Sequence, residues 1–443
     1  MDISQFIATW VTLPGPEPLR DGSQGTAAQE DTVAIEKCLS AEVIKIQIYY
    51  RNGLERRIGH VNGYYRNINS YFNYRLFSQG TSTECDLDAL SEILPKSLIE
   101  FETSRESIIE IPTAVMKKLA NYRETPLFRA RNFEKAIGTT CEIYIKDEGK
   151  TPSGNHKMNS AYLIAYLCAK DGIRTIVTET TGNWGIALAL AANDFGLTVI
   201  CFIDEESNQA RPNRKSKMEG LGAIVRVVEH DEYHKDLLTL STDKAIEYTK
   251  TLENAVYIFG SVYGYFVIPQ SIIGVEAKQQ LLNLDKYPDI VVGSCGGGAN
   301  FLGTASEFMA DNIEGTSTCE IYAAESESCP ILSKGKMGYS SIDTLNYYPF
   351  IHTYSIPGLE QSDYYIGGIG SIIVAPAVSH FHESGLIRSG TYTNVAAKDA
   401  AEMFNKEEGI MVALETAYQL AGVVDKARTN HNKAILVNIS STT

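Results

Sequence analysis

Residues 141–172 read CEIYIKDEGKTPSGNHKMNSAYLIAYLCAKDG, and the order of properties along them decides the fold. The opening CEIYIKDE is short, β-branched and apolar, as a buried strand requires. A Ser153-Gly154-Asn155 turn follows, and His156-Lys157 stands where the helical stretch NSAYLIAYLCAK opens. Gly172 closes that stretch at a position that suits a left-handed cap. A lysine so placed has its ammonium near backbone N–H groups and the positive end of a helix. That setting lowers its pKa and suits Schiff-base chemistry. An ordinary solvated lysine in a first helical turn satisfies the same pattern.

Working outward, the strand-then-helix order recurs. RTIVTET, LTVICFID, AIVRVVE, DIVVGSC, CEIYAAES and AILVNIS are short apolar segments, with helical stretches such as WGIALALAANDFG between several of them. Continuous apolar strands separated by helices imply an α/β protein whose parallel sheet is covered on both faces. Two more junctions carry chemistry. In residues 290–308, IVVGSCGGGANFLGTASEF, a strand runs into Gly296, Gly297, Gly298, Ala299 and Asn300 before a helix begins. Bare glycine N–H groups at a helix start let a phosphate sit close, and a flexible turn explains the same glycines equally well. In residues 174–192, RTIVTETTGNWGIALALAA, a strand delivers Glu179 to Thr180, Thr181, Gly182, Asn183 and Trp184. Hydroxyls, an amide and helix-start N–H groups form a cup sized for an amino-acid carboxylate, with Glu179 beside it as a general acid/base. Plain helix capping by a threonine is the alternative.

The chain has 443 residues, 39 Lys plus Arg against 54 Asp plus Glu, and a formal net charge of -15. So acidic a surface makes nucleic acid and anionic membrane poor partners. No apolar run reaches the length of a membrane span. Eight scattered cysteines without a Cys-x-x-Cys pair read as reduced thiols of a cytosolic protein, and neither they nor the histidines suggest a metal. The polar residues 14–31 read as a loop. Residues 44–77 hold two Asn-Gly pairs, Asn52-Gly53 and Asn62-Gly63, which predict a three-stranded antiparallel meander rich in Tyr and Arg. Packing on the main body or a partner subunit, with the arginines facing water, is the expected use of this meander.

Taken together, these segments resemble the pyridoxal-phosphate-dependent tryptophan synthase β-chain family, its longer, second type. The motifs are ETPLFRARNFEKAIG, SGNHKMN, the TET loop with its Trp-Gly, RPNRKSKMEGLGA, GVEAKQQL, SCGGGANFLG, AAESESCP, EEGIMVALETA and ILVNIS. The resemblance implies fold type II, with two three-layer α/β domains holding pyridoxal 5'-phosphate between them and an N-terminal β-rich extension. The implied boundaries are 1–95 for the extension, 96–125 with 157–270 for one domain, and 126–156 with 271–443 for the other. It further implies that Lys157 carries the cofactor. His156 would lie beside the phosphate, Gly296 to Gly298, Ala299 and Asn300 would form the phosphate cup, and Asn159 would also contact the cofactor. Ser440 would meet the pyridine nitrogen, with Glu415 nearby. Glu179 would serve as acid/base, and residues 180–184 would hold the substrate. The implied reaction is β-replacement or β-elimination on a serine-like amino acid through an aminoacrylate, with indole or another nucleophile. A homodimer is implied, and an α-type partner subunit is left open.

The departures from the family's pattern are specific. The carboxylate loop ETTGNWG is one residue shorter than the family's and resembles the loop of cysteine synthases. GGIGSIIV, at 367–374, lacks the polar residues of the longer type's Gly-Gly-Leu-Arg-Tyr-His-Gly. Ser440-Ser441-Thr442-Thr443 stands for Ser-Gly-x-Gly, and residues 32–82 match nothing in the family. A loop shortened where it grips the substrate shifts the substrate's pose and with it the rate or the nucleophile.

Overall fold

The computed structural model describes residues 6–12, 32–38, 43–49, 61–78, 82–234, 236–357 and 367–442. The chain forms two compact units, Met1–Tyr64 with Glu110–Glu124, and Tyr65–Ile109 with Thr125–Thr443.

In the first unit, Phe6–Thr12, Thr32–Cys38, Val43–Tyr49 and Val61–Asn62 pair antiparallel in chain order. The antiparallel pairing thus begins well before residue 44, with the β-prone runs FIATWVT and TVAIEKC supplying strands that the Asn-Gly signal did not reveal. Asn52-Gly53, Tyr50, Arg51, Arg56, Arg57 and the expected loop at 14–31 lie outside the described residues. After Asn62-Gly63 the expected long strand is replaced by the short Tyr64–Arg66 and a 3₁₀ turn, Ile68–Tyr71. Asn67 causes the change. Its side chain accepts from Asn69 N and donates to the carbonyls of Ser104 and Glu106, so the backbone leaves the extended path. Arg66 also departs from expectation. It is buried against Glu307 at 2.8 Å instead of facing water, and its N–H donates to Ser271 Oγ.

The second unit holds two large sheets. One has four parallel strands in the order Ile224–Val228, Thr198–Asp204, Thr175–Thr180, Ala255–Tyr257. The other has six, ordered Ile387–Tyr392, Glu320–Ser326, Ile290–Ser294, Ala434–Ile439, Glu142–Asp147 and Leu127–Arg129. All are parallel except Leu127–Arg129, which closes one edge antiparallel. The central strands are mostly apolar, and Ile143, Ile145, Val291, Val292, Ile435 and Val437 are fully buried. The edge strand Ile224–Val228 departs from the both-faces-covered expectation. Ile224 and Val227 are exposed because an edge strand has a neighbour on one side only. Of the cysteines whose side chains are described, none is in a disulfide; Cys85 is half-buried and the others are buried.

Helix Met158–Lys170 is buried over most of its circumference, consistent with its Ala/Leu/Ile-rich sequence, and it ends at Gly172 with a φ of 82°. Helices Ile272–Leu282 and Ala299–Ile313 approach closely at Gly274, where a Cβ would come within 2.5 Å of the Thr304 carbonyl. The six-stranded sheet is pinned to the first of these helices by Lys146, fully buried, whose Nζ reaches Glu276 Oε2, Gln280 Oε1 and the Thr125 carbonyl, each at 2.8 Å. Three acceptors for three ammonium hydrogens satisfy a charge that water no longer reaches. Lys146→Met keeps the volume but removes the ammonium that faces Glu276. It is expected to cost about 3–5 kcal/mol in urea denaturation, most of it recovered in Lys146→Met/Glu276→Leu.

Candidate active site

Four parallel strands deliver their carboxyl ends to one region, the usual place for ligands in open α/β sheets. Glu142–Asp147 leads to the turn that ends at Lys157. Thr175–Thr180 leads to Gly182 and the helix Asn183–Asn193. Ile290–Ser294 leads to the three glycines, and Ala434–Ile439 leads to Ser440. Two of these are stitched directly. His156 N donates to the Ser440 carbonyl at 2.9 Å, and Thr442 N donates to the Gly154 carbonyl at 3.1 Å.

Lys157 stands at the mouth of helix Met158–Lys170, half-buried, with Nζ 3.2 Å from His156 Nε2. Burial, more than the nearby Arg214, pushes its pKa down to about 8, while Glu415 opposes the shift. His156 is buried and driven down to about 3, again mainly by desolvation, so its ring is neutral. Asn159 lies one turn along, its amide donating to Glu148 Oε2 at 2.9 Å, and Glu148 accepts in turn from Thr125 Oγ1.

The glycine junction is shaped for close approach. Gly298 has a φ of 95°, and no side chain caps the first turn of helix Ala299–Ile313. A Cβ on Gly296 would lie 2.2 Å from the Ile369 carbonyl, and one on Gly297 would lie 2.2 Å from Ser261 Oγ. The Asn300 side chain is committed elsewhere. It donates to Ser294 Oγ and Gln419 Oε1 and accepts from Asn438 Nδ2, so only its backbone N–H faces the loop's task.

The loop after Glu179 divides its labour. Thr180 Oγ1 accepts from Gly182 N at 2.9 Å and Gly185 N at 3.0 Å, so Thr180 braces the turn as a cap. The Trp184 ring is taken up by packing beneath the loop. The indole is buried, donates to Thr178 Oγ1 and meets Phe266 edge-on, and Gly260 lacks a Cβ that would strike it at 2.3 Å. The Thr181 hydroxyl and the Asn183 side-chain amide have no hydrogen-bond partner among the described residues, and both are half-buried. Gly182 has a φ of 117° and lies against Arg214, whose Nη1 donates to the Thr181 carbonyl at 3.0 Å. Arg214 Nη2 also stands 4.0 Å from Glu415, which accepts from Gly368 N at 2.9 Å. Ser440 Oγ shares a hydrogen bond of 2.8 Å with Thr416 Oγ1.

Glu179 is 4% exposed, and its Oε2 accepts from the Tyr257 hydroxyl. Burial pushes its pKa up to about 8, against the hydrogen bond from Tyr257, which favours the charged form. Sequence reasoning did not single out Tyr257, Arg214, Gln270 or Thr416. Arg214 lay inside a quoted motif, and Thr416 adjoins Glu415. Tyr257 and Gln270 carried no signal, since nothing beside them in sequence ties them to Glu179 or His156.

A family model for pyridoxal-phosphate dependent enzymes matches residues 119–441. The chain is 35% identical over 384 residues to the tryptophan synthase beta chain 2 of Pyrococcus abyssi, covering 81% of this chain and 86% of that one. It is 34% identical over 371 residues to that of Methanosarcina acetivorans, covering 80% and 84%. A fungal L-serine ammonia-lyase from Rhizomucor miehei is similar in structure, with a TM-score of 0.55 at 18% identity over 72% of this chain and 93% of that one. At that identity the likeness is one of fold.

The Glu179–Tyr257 contact has a titration consequence. Below about pH 8 Glu179 is mostly the neutral acid, and above it the carboxylate. Tyr257→Phe removes the donor that stabilises the carboxylate, so the midpoint should rise. Carbon-13 carboxyl shifts in glutamate-labelled protein, assigned with Glu179→Gln, measure it; an unmoved or lowered midpoint contradicts the contact.

Proposed function

Because the chain belongs to the tryptophan synthase β-chain family of pyridoxal-phosphate-dependent enzymes, we propose that it catalyses β-replacement or β-elimination on a serine-like amino acid. The supporting observation is Glu179, a buried and protonatable carboxyl one residue from a loop whose Thr181 and Asn183 side chains are open. Residues and cofactor suit each other. The Gly296–Gly298 junction has room only for bare backbone, and an uncapped helix start behind it favours a phosphate. Lys157 offers an amine of depressed pKa for the covalent link.

When bound, pyridoxal phosphate supplies the electron sink that makes the substrate's α-proton removable. The protein's side chains do the rest in this proposal. Thr181, the Asn183 amide and the helix-start N–H groups hold the substrate carboxylate. Lys157 Nζ takes the α-proton, and its pKa of about 8 leaves roughly a tenth of it as free amine at pH 7. Glu179, neutral at that pH, donates a proton to the departing β-hydroxyl and afterwards holds the proton lost by the incoming nucleophile. Ser440, a neutral hydroxyl, would meet the pyridine nitrogen, with Glu415 and its neighbour Arg214 near it. Gly296 to Gly298, Ala299 and the Asn300 N–H hold the phosphate. The domain organisation proposed with this reading centres one domain on the four-stranded sheet and the other on the six-stranded sheet.

Indole is the leading nucleophile because a carboxyl stands where its proton must go. The shortened loop keeps a thiol, an amine or plain deamination as outcomes of one experiment. Incubate serine with indole, a thiol, or neither, and assay tryptophan, the thioether, and keto acid with ammonia. Tryptophan formation, reduced at least 100-fold in Glu179→Gln with substrate binding retained, supports the reading. Keto acid as the main product with indole present rejects replacement in favour of elimination. Borohydride reduction followed by peptide mapping should place the pyridoxyl group on Lys157; a label on another lysine contradicts the assignment.

A further inference from the structure

The connection between strand Ile224–Val228 and helix Leu237–Thr249 holds a histidine between two carboxylates. His234 Nδ1 lies 2.9 Å from Asp231 Oδ2 and 3.0 Å from Asp231 Oδ1, and its Nε2 lies 3.0 Å from Asp243 Oδ2. Each carboxylate accepts from other donors as well. Asp231 Oδ1 takes the N–H groups of Tyr233 and His234, and Asp243 takes the Thr344 N–H at 3.0 Å and the Thr344 hydroxyl. Groups so placed are acceptors, so both ring nitrogens must donate and the ring is the imidazolium. Its titration agrees. Desolvation works against the charged ring, but the hydrogen bonds and charges of Asp243 and Asp231 outweigh it and raise the pKa. Among the described residues, these two are the charged groups that face the ring. Asp236 is turned to Thr239, Glu205 and Glu206 to His230, and Asp343 to Ser341 and the N–H groups of Tyr347 and Tyr348.

Asp243 carries the contact further. Thr344 lies in the connection between strands Lys336–Ser340 and Ile351–Ser355, and so does Tyr348. Tyr348 is buried, meets the Tyr257 ring edge-on at 5.4 Å and donates its hydroxyl to the Tyr257 carbonyl at 3.1 Å. The Tyr257 hydroxyl in turn donates to Glu179. We propose that His234 is a pH-responsive clasp: as the imidazolium it holds the Thr344–Tyr348 connection against the aromatic wall behind Glu179, and on losing its proton it lets that connection go. The reason lies in Asp243, which is 3% exposed and whose ion pair among the described residues is the one with His234. A neutral ring has one N–H for two carboxylates, so a lone pair must face an anion or Asp243 must keep a buried charge without its cation. Water must then reach Asp243, at the expense of its contacts with Thr344. Because the folded-state pKa is the higher one, the clasp is fully closed below the imidazole's ordinary 6.5 and opens as pH rises through the raised value.

Two arms of the test need no assumption about the reaction. In the first, the His234 Cε1–H signal of the full-length protein is followed against pH, with His234→Gln for assignment. Its midpoint should lie above 6.5 and drop in both Asp243→Asn and Asp231→Asn; a midpoint at or below 6.5 in the parent protein overturns the proposal. In the second, ring carbon-13 signals of tyrosine-labelled protein are followed over the same range, with Tyr348→Phe for assignment. The Tyr348 signal should move with the His234 midpoint in the parent protein and stay still in His234→Lys, which keeps a cation between the carboxylates. A Tyr348 signal that ignores the His234 midpoint, or that moves equally in His234→Lys, overturns the proposal. The third arm rests on the proposed replacement reaction. KM for indole is measured with saturating serine between about pH 6 and 9. Across the His234 midpoint it should rise at least three-fold more in the parent protein than in His234→Lys, which retains the titrations of Glu179 and Lys157. Equal profiles in the two proteins mean that the clasp does not reach the site and overturn the proposal. Failure of the parent protein to form any tryptophan rejects indole replacement instead, and the first two arms then decide the clasp.

Discussion

The hydrogen bond from His156 N to the Ser440 carbonyl is the constraint on which the site depends. It joins the turn after one parallel strand to the end of its neighbour in the sheet, two segments far apart in the chain. The strands Glu142–Asp147 and Ala434–Ile439 are in register along their whole length, so their ends are forced to emerge together. Lys157 and Ser440 are carried out on those ends, and the Gly296–Gly298 loop comes from the strand on the other side of Ala434–Ile439. A slip of a single residue would exchange the side chains between the two buried faces and carry the strand ends out of step, which is why apolar packing fixes where Lys157 and Ser440 emerge.

Burial then tunes what register has assembled. Lys157 and Glu179 come from different sheets, and desolvation moves both toward neutrality from opposite sides, each to about 8. An amine and an acid that both titrate near neutral pH can exchange protons with a substrate in either direction. The local partners refine this: Tyr257 on Glu179, and Glu415 with Arg214 on Lys157. None of the three refining groups is adjacent in sequence to the group it adjusts.

The carboxylate loop shows how one short motif splits into distinct roles. Thr180 and Trp184 build the loop, one by capping and one by filling the space above Gly260, while Thr181 and Asn183 keep open side chains. The sequence permitted a capping reading and a binding reading; Thr180 caps, and Thr181 and Asn183 are left for the binding proposed above. Asn300 divides likewise, its side chain bound into the Gln419–Asn438 amide network and its N–H left at the helix start. In the amino-terminal region, Asn67 bent the chain away from the strand that the Asn-Gly pair announced, and Arg66 was spent on Glu307.

What the sequence determined alone are properties carried by neighbours along the chain. A strand, a turn and a lysine at a helix start lie within residues 141–172, and the apolar runs imply a parallel sheet wherever helices separate them. The glycine junction and the Glu179 loop were legible for the same reason, since the backbone that shapes them is contiguous. The tertiary structure alone decided every relation made across the sheet. Tyr257 against Glu179, Gln270 behind His156, Thr416 under Ser440 and Arg214 behind Gly182 are contacts between elements whose spacing in sequence is arbitrary.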